Sequence, residues 1–153
     1  MNFLSQASNV IFLGPPGVGK THLAIALGIK AAINRKRVAF YTAEEITISL
    51  TVAEVNGTLN KLLDSLRRLD LLIIDELGYL QLNKKTATLF FRLIARRYEK
   101  GSTIITSNKP FEEWGQIFDD DVVASAILDR LLHHCYTFLI QGKSFRIKNF
   151  IDK

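Results

Sequence analysis

Hydrophobic residues cluster along the chain in five short runs: Asn9–Leu13, Val38–Tyr41, Leu71–Asp75, Thr103–Thr106 and Tyr136–Ile140. The third, Leu71-Leu72-Ile73-Ile74-Asp75, is apolar without alternation, as strands covered on both faces of a parallel sheet are. Between the runs the pattern changes to helical spacing. A helix is expected from near Lys20 to about Ala32, followed by the basic turn Asn34-Arg35-Lys36-Arg37. Thr42-Ala43-Glu44-Glu45 has the form of a capping box and should open a helix through about Val52. Asn56-Gly57 breaks the chain, and Leu59, Leu62, Leu63 and Leu66 then recur on one helical face before Arg67-Arg68. A long helix is expected over Lys84–Glu99, closed by Gly101, then a short one carrying Trp114. Asp119-Asp120-Asp121 should cap another helix that runs through about Leu132. Residues 1–8 read as a polar lead-in. Beyond Gln141-Gly142, Phe145-Arg146-Ile147 alternates as a short edge strand. Strands alternating with helices, without repeats or linkers, give one α/β domain built on a parallel sheet.

Composition narrows the class only a little further. A chain of 153 residues, 48% hydrophobic and 23% charged, is the size of one folded domain. No apolar run is long enough to span a membrane, and the first residues lack the pattern of a secretory signal, so a cytoplasmic protein is expected. The single cysteine, Cys135, allows no internal disulfide and reads as a small buried hydrophobe. His133 and His134 are adjacent rather than one helical turn apart, so no metal site is expected there; packing or surface placement is their default reading. The net charge of +5 favours a polyanionic partner without identifying one.

The chemistry begins at the end of the first run. Gly14-Pro15-Pro16-Gly17-Val18-Gly19-Lys20-Thr21-His22 follows Val10-Ile11-Phe12-Leu13 and opens into Leu23-Ala24-Ile25-Ala26-Leu27. Strand, glycine-rich loop and helix in that order are the context of a phosphate-binding P-loop. Glycines let successive N–H groups converge on an anion, and the helix start adds its positive dipole end. Lys20 would reach the β and γ phosphates and Thr21 would ligate Mg²⁺.

Asp75-Glu76 closes the third run as a Walker B element does. Asp75 would hold Mg²⁺ through water, and Glu76 would orient and deprotonate an attacking water. Two acids can also simply mark where a buried strand meets solvent. Asn108, after the fourth run, is placed either to hydrogen-bond a γ-phosphate or lytic water, or merely to form the turn before Lys109-Pro110. In Ile127-Leu128-Asp129-Arg130-Leu131-Leu132 the aliphatic residues supply a buried face, which leaves Arg130 for a neighbour's γ-phosphate or for a surface ion pair.

Four strings together resemble the IstB-like ATPases. They are Gly14–Ala24, Leu72-Ile73-Ile74-Asp75-Glu76-Leu77-Gly78-Tyr79, Ser102–Asn108 and Ala126-Ile127-Leu128-Asp129-Arg130-Leu131-Leu132-His133-His134. These ATPases are transposition helpers of insertion sequences, relatives of DnaC-type helicase loaders within the AAA+ superfamily. The resemblance covers Asn9 to about Lys148. It implies a three-layer P-loop NTPase of the AAA+ type, with five parallel strands in the order 5-1-4-3-2 and little or no lid domain. It implies that Asn108 is the sensor-1 residue, Arg130 an arginine finger acting in trans and Arg146 a sensor-2-type arginine; an edge-strand surface arginine is the other reading of Arg146. It also implies ATP and Mg²⁺ as cofactors, a homo-oligomer on DNA, and a transposase or replicative helicase as partner. Family members usually carry a helical N-terminal segment before this domain. Here the first strand begins at Asn9, so a trimmed or shortened ATPase domain is expected, with partner recruitment left open.

Residues for DNA are less specific. Arg35, Lys36, Arg37, Arg67, Arg68, Lys84 and Lys85 fall in loops or helix ends where they could meet phosphates. No base-reading motif accompanies them, so backbone binding with weak sequence preference is expected. Three function classes therefore stand: an ATP-hydrolysing DNA-bound oligomer, a nucleotide-dependent binding module with negligible turnover, and a small-molecule kinase. Asp75-Glu76 and the candidate trans arginine argue against the kinase.

Overall fold

In the computed structural model, which describes residues 2–141, the five apolar runs lie side by side as one parallel sheet. The strands are β1 (Asn9–Leu13), β2 (Val38–Thr42), β3 (Leu71–Leu77), β4 (Ser102–Ser107) and β5 (Cys135–Leu139). Their order is β2-β3-β4-β1-β5, which is the order 5-1-4-3-2 read from the other side. Pairing is in regular register from Val10 opposite Ile104 to Leu13 opposite Ser107, and from Asn9 opposite Cys135 to Leu13 opposite Leu139.

Seven helices cover the sheet among the described residues: α1 (Asn2–Ser5), α2 (Lys20–Ile33), α3 (Ala43–Val55), α4 (Leu59–Arg67), α5 (Lys84–Arg97), α6 (Trp114–Phe118) and α7 (Asp121–Leu132). Alternate strand residues point to opposite faces. Ile11, Leu13, Leu72, Ile74 and Ile105 join the larger core with residues of α3 to α7, including Phe90, Trp114 and Phe118. Val10, Phe12, Leu71, Ile73 and Ile104 join the smaller core under α2, where Phe3 and Leu4 of α1 also pack. A Cβ at Gly28 would sit 2.7 Å from the terminal Cδ1 of Ile73, so a larger residue there would make that side chain shift.

The local signals account for most element ends. Thr42 Oγ1 accepts from the Glu45 N–H at 3.1 Å and Glu45 Oε1 accepts from the Thr42 N–H at 2.9 Å, completing the capping box. Within the acidic triplet it is Asp120 that caps α7, accepting from the N–H groups of Val122 and Val123. Asp119 instead takes a left-handed φ of 52° between α6 and α7.

Three expectations shift. The polar lead-in contains a helical turn, α1, held down by Phe3 and Leu4. α3 continues to Val55, one turn beyond the expected Val52, because the break at Asn56-Gly57 is what ends it. β3 continues two residues past Asp75, to Leu77, through an irregularity in its pairing with β4 between Ile74 and Leu77. The expected edge strand over residues 145–147, and with it Arg146, lies outside the described residues.

One buried cation ties the layers together. Arg97, at the end of α5, is 2% exposed. It donates to Leu66 O at 2.6 Å, Leu69 O at 3.1 Å, Ser102 O at 2.7 Å and Thr103 Oγ1 at 3.1 Å. It thereby satisfies carbonyls at the end of α4 and the start of β4. Desolvation lowers its pKa to about 10, with Asp70 opposing, and the guanidinium remains charged at neutral pH. Arg97→Met should lower stability by about 3 kcal/mol or more, because several buried carbonyls lose their donors. Arg97→Lys should not restore it, since an ammonium cannot reproduce the fork. Thermal unfolding of the two variants against the parent chain checks both statements.

Candidate functional site

A parallel sheet brings the carboxyl ends of all its strands to one edge, and ligands bind there where the strand order reverses. In this chain the ends of β1, β3 and β4 meet at that edge. Gly14 leaves β1 with its N–H on Ser107 O at 3.2 Å, fastening the loop to the end of β4. Across the other neighbour, the Ile140 N–H donates to Leu13 O at 2.7 Å, and the Ile140 carbonyl lies against Gly14 so closely that any Cβ there would strike it. Gly17 and Gly19 take φ of 80° and 96°, a left-handed backbone that favours glycine. Gly19 is the N-cap of α2, and no side chain caps it. The first N–H groups of a 14-residue helix therefore open onto the loop, which is how a helix start receives an anion.

The loop borders a cavity of about 600 Å³ lined by Pro16, Gly17, Val18, Gly19, Lys20, Thr21, His22, Glu76, Tyr79 and Thr106. Lys20 is 5% exposed. Its Nζ donates to Gly14 O at 2.7 Å and Pro15 O at 2.8 Å. Burial lowers its pKa, while the charges of Asp75 and Glu76 act in the opposite direction. The Thr21 hydroxyl is 3.0 Å from each oxygen of the buried Asp75 carboxylate. A hydroxyl beside a carboxylate is a hard oxygen donor set and fits Mg²⁺, which keeps most of its waters.

Asp75 and Glu76 are consecutive but face different surroundings. Asp75 is 3% exposed, whereas Glu76 is exposed and borders the cavity. The irregular pairing of β3 makes that possible. Glu76 has a φ of 63°, an uncommon conformation for a residue with a Cβ. Thr106, on β4, holds the pair from the side. Its hydroxyl donates to Asp75 Oδ1 in a short hydrogen bond and accepts the Glu76 N–H at 2.8 Å. Neither composition nor spacing singled out Thr106; its position two residues before Asn108 on the strand beside Walker B is the signal that could have. Tyr79 also borders the cavity, and its pKa is raised by burial first and then by Glu76 and Asp75.

Other anticipated residues lie elsewhere. Asn108 follows β4 but is not in the cavity lining. Its Oδ1 is buried without a hydrogen-bond partner among the described residues, in the region of Gly78. Arg130 is near the opposite edge of the sheet. Its guanidinium donates to Ala126 O at 3.1 Å and lies 4.9 Å from the centre of the Phe91 ring. The next residue's carbonyl, Leu131 O, accepts from the Asn9 side chain at the start of β1. The basic residues divide in the same way. Arg35, Lys36 and Arg37 precede β2, and Arg67 and Arg68 precede β3, at the edge away from the cavity, while Lys84 and Lys85 start α5. Arg37, Arg67 and Lys85 form surface ion pairs with Asp70, Asp64 and Glu54.

The profile of the family described as IstB-like ATP binding protein matches residues 1–152. The chain belongs to that family. One relative of this IstB-like chain, from Pseudomonas aeruginosa, is named as an ATP-binding protein of insertion sequence IS21. It is 53% identical over 146 residues, covering 95% of this chain and 55% of the relative. Another, named for insertion sequence IS5376 of Geobacillus stearothermophilus, is 46% identical and matched over 97% of this chain and 59% of its own length. The chain thus spans a little over half the length of these relatives. Among solved structures, the DnaC helicase loader superposes with a TM-score of 0.76 at 24% identity, over 92% of this chain and 85% of that one. AMPPCP-bound DnaA from Aquifex aeolicus gives 0.76 at 23% identity, over 99% and 46%. These likenesses show that the IstB-like chain shares the α/β fold of those proteins. Cys135, expected to be buried, is only partly so. None of the described helices is long and apolar enough to cross a membrane.

Removing the Thr106 hydroxyl takes one of two donors from the buried Asp75 carboxylate, which keeps Thr21, and leaves the Glu76 N–H without its acceptor. Thr106→Val should cost about 1–3 kcal/mol, and Thr106→Ser should recover most of it, as read from thermal melting.

Proposed function

We propose that this IstB-like domain hydrolyses ATP as part of an oligomer assembled on DNA, in the service of transposition. The observation that carries the reading is the joint presence, around one cavity, of the buried Lys20, the Thr21–Asp75 pair and the exposed Glu76. Lys20 and the loop N–H groups from Gly17 to Thr21 hold the phosphates, with Gly14, Pro15, Pro16, Val18 and His22 shaping the loop. Mg²⁺ at Thr21 and Asp75 would supply charge neutralisation on the phosphate oxygens. Glu76 accepts the proton of the attacking water, and the γ-phosphoryl group passes to that water.

The roles beyond this set are assigned as follows. Asn108 reports the γ-phosphate from the end of β4; the partnerless Oδ1 beside the Gly78 turn supports a side chain that reorients when that turn moves. Arg130 serves a neighbouring copy. Its place at the far edge of the sheet supports the trans role, since it does not border its own cavity. Arg146 is assigned to the nucleotide by resemblance alone. The relatives named for insertion sequences support a transposase as the partner over a replicative helicase. The likeness to the DnaC helicase loader keeps loading of a helicase as the second reading.

ATP hydrolysis measured against protein concentration, with and without DNA, tests the proposal. Specific activity should rise steeply with concentration and rise further with DNA. Glu76→Gln should lower turnover by roughly 10²–10⁴-fold while ATP still binds. Arg130→Ala should lower it by roughly 10³–10⁵-fold, again with binding retained. Bound ATP with turnover that is flat and near background would instead support a nucleotide-dependent binding module.

A further inference from the structure

Away from the cavity, the turn after α5 and the turn after α7 bring three ligand-bearing side chains together. The Nε2 of His133 lies 3.3 Å from Oε1 of Glu99, and His134 joins them, with one ligand atom from each residue within 4.8 Å of the others. Two adjacent residues inside a helix point about 100° apart. α7, however, ends at Leu132, and past its end the rings of His133 and His134 approach to 4.4 Å between centroids. Glu99 reaches them from a left-handed backbone, φ 61°, where a glycine would be at ease. Tyr98 packs on the His133 ring at 5.6 Å.

We infer that Glu99, His133 and His134 form a binding site for Zn²⁺ or a similar borderline divalent cation. Two imidazoles and a carboxylate are a donor set that zinc takes. Two ligands about 2.05 Å from a tetrahedral centre stand ~3.3 Å apart, the separation already held by His133 and Glu99. All three side chains are exposed, so His134 can close the remaining distance by changing rotamer, and a water fills the fourth position. The ion would clamp the end of α5 to the end of α7. Those two helices carry Phe91 and Arg130, so the clamp fixes the platform from which Arg130 extends. The site rests on this geometry and is independent of the ATPase reading.

The test is titration of the tag-free chain with Zn²⁺ against a chromogenic chelator, together with thermal melting in Zn²⁺. One equivalent should bind, and Tm should rise with Zn²⁺ by mass action. Glu99→Ala, His133→Ala and His134→Ala should each weaken binding at least as much as the ~10–100-fold that loss of an outer-shell partner costs, and should remove the Tm rise. Cys135→Ser should leave affinity unchanged. Absence of binding at micromolar Zn²⁺ would overturn the site and leave His133–Glu99 as a surface ion pair. So would binding that survives any of the three alanine substitutions, or that is lost with Cys135→Ser.

Discussion

A parallel sheet covered on both faces constrains nearly everything else in this chain. Every connection must cross back over a face before the next strand starts, so all five strands end at the same edge. The chain leaves each strand at that edge, and the site is built from those exits. The P-loop is the chain leaving β1, Asp75 and Glu76 lie at the end of β3, and Thr106 is near the end of β4. The opposite edge collects what the site does not use directly: the basic turns before β2 and β3, the end of α7 with Arg130, and the His133–His134 pair.

Buried polar groups then decide where the elements stop. Arg97 gathers carbonyls from the end of α4 and the start of β4 that would otherwise be dry and unpaired. Thr106 does the same on a smaller scale, joining a carboxylate on one side to an N–H on the other. Both residues are buried in the protein interior although neither is apolar. Each is satisfied almost completely, which is the condition under which a buried polar group supports a fold instead of weakening it.

Much of this was legible in the sequence, and what was not has a physical reason. The five apolar runs, the Thr42–Glu45 capping box and the Gly14–Thr21 loop are local signals, complete within a few residues, and the structure contains each of them. The positions of Lys20, Thr21 and Glu76 around one cavity, with Asp75 held against Thr21, follow from the P-loop and the end of β3 reaching the same edge. Thr106 was missed because its role needs two strands in register, and a threonine in a strand is otherwise unremarkable. Arg97 was missed because a basic residue near a helix end reads as solvated. The proximity of Glu99 to the two histidines was invisible because 34 positions and a whole strand separate them. Asn108 was placed by motif at the cavity, but its side chain turns towards Gly78, a contact set by the path of the loop after β3.

The contact between Gly14 and the Ile140 carbonyl joins the beginning of the P-loop to the exit from β5 with no space for even one more carbon. The carbonyl just past the end of β5 is therefore in direct contact with the first glycine of the phosphate loop. A displacement of β5 would press on that glycine through the Ile140 carbonyl and on β1 through the Ile140 N–H held by Leu13 O. The loop in turn shifts the same carbonyl whenever its backbone moves. The placement of β5 and the conformation of the phosphate loop are thus coupled at one point of contact.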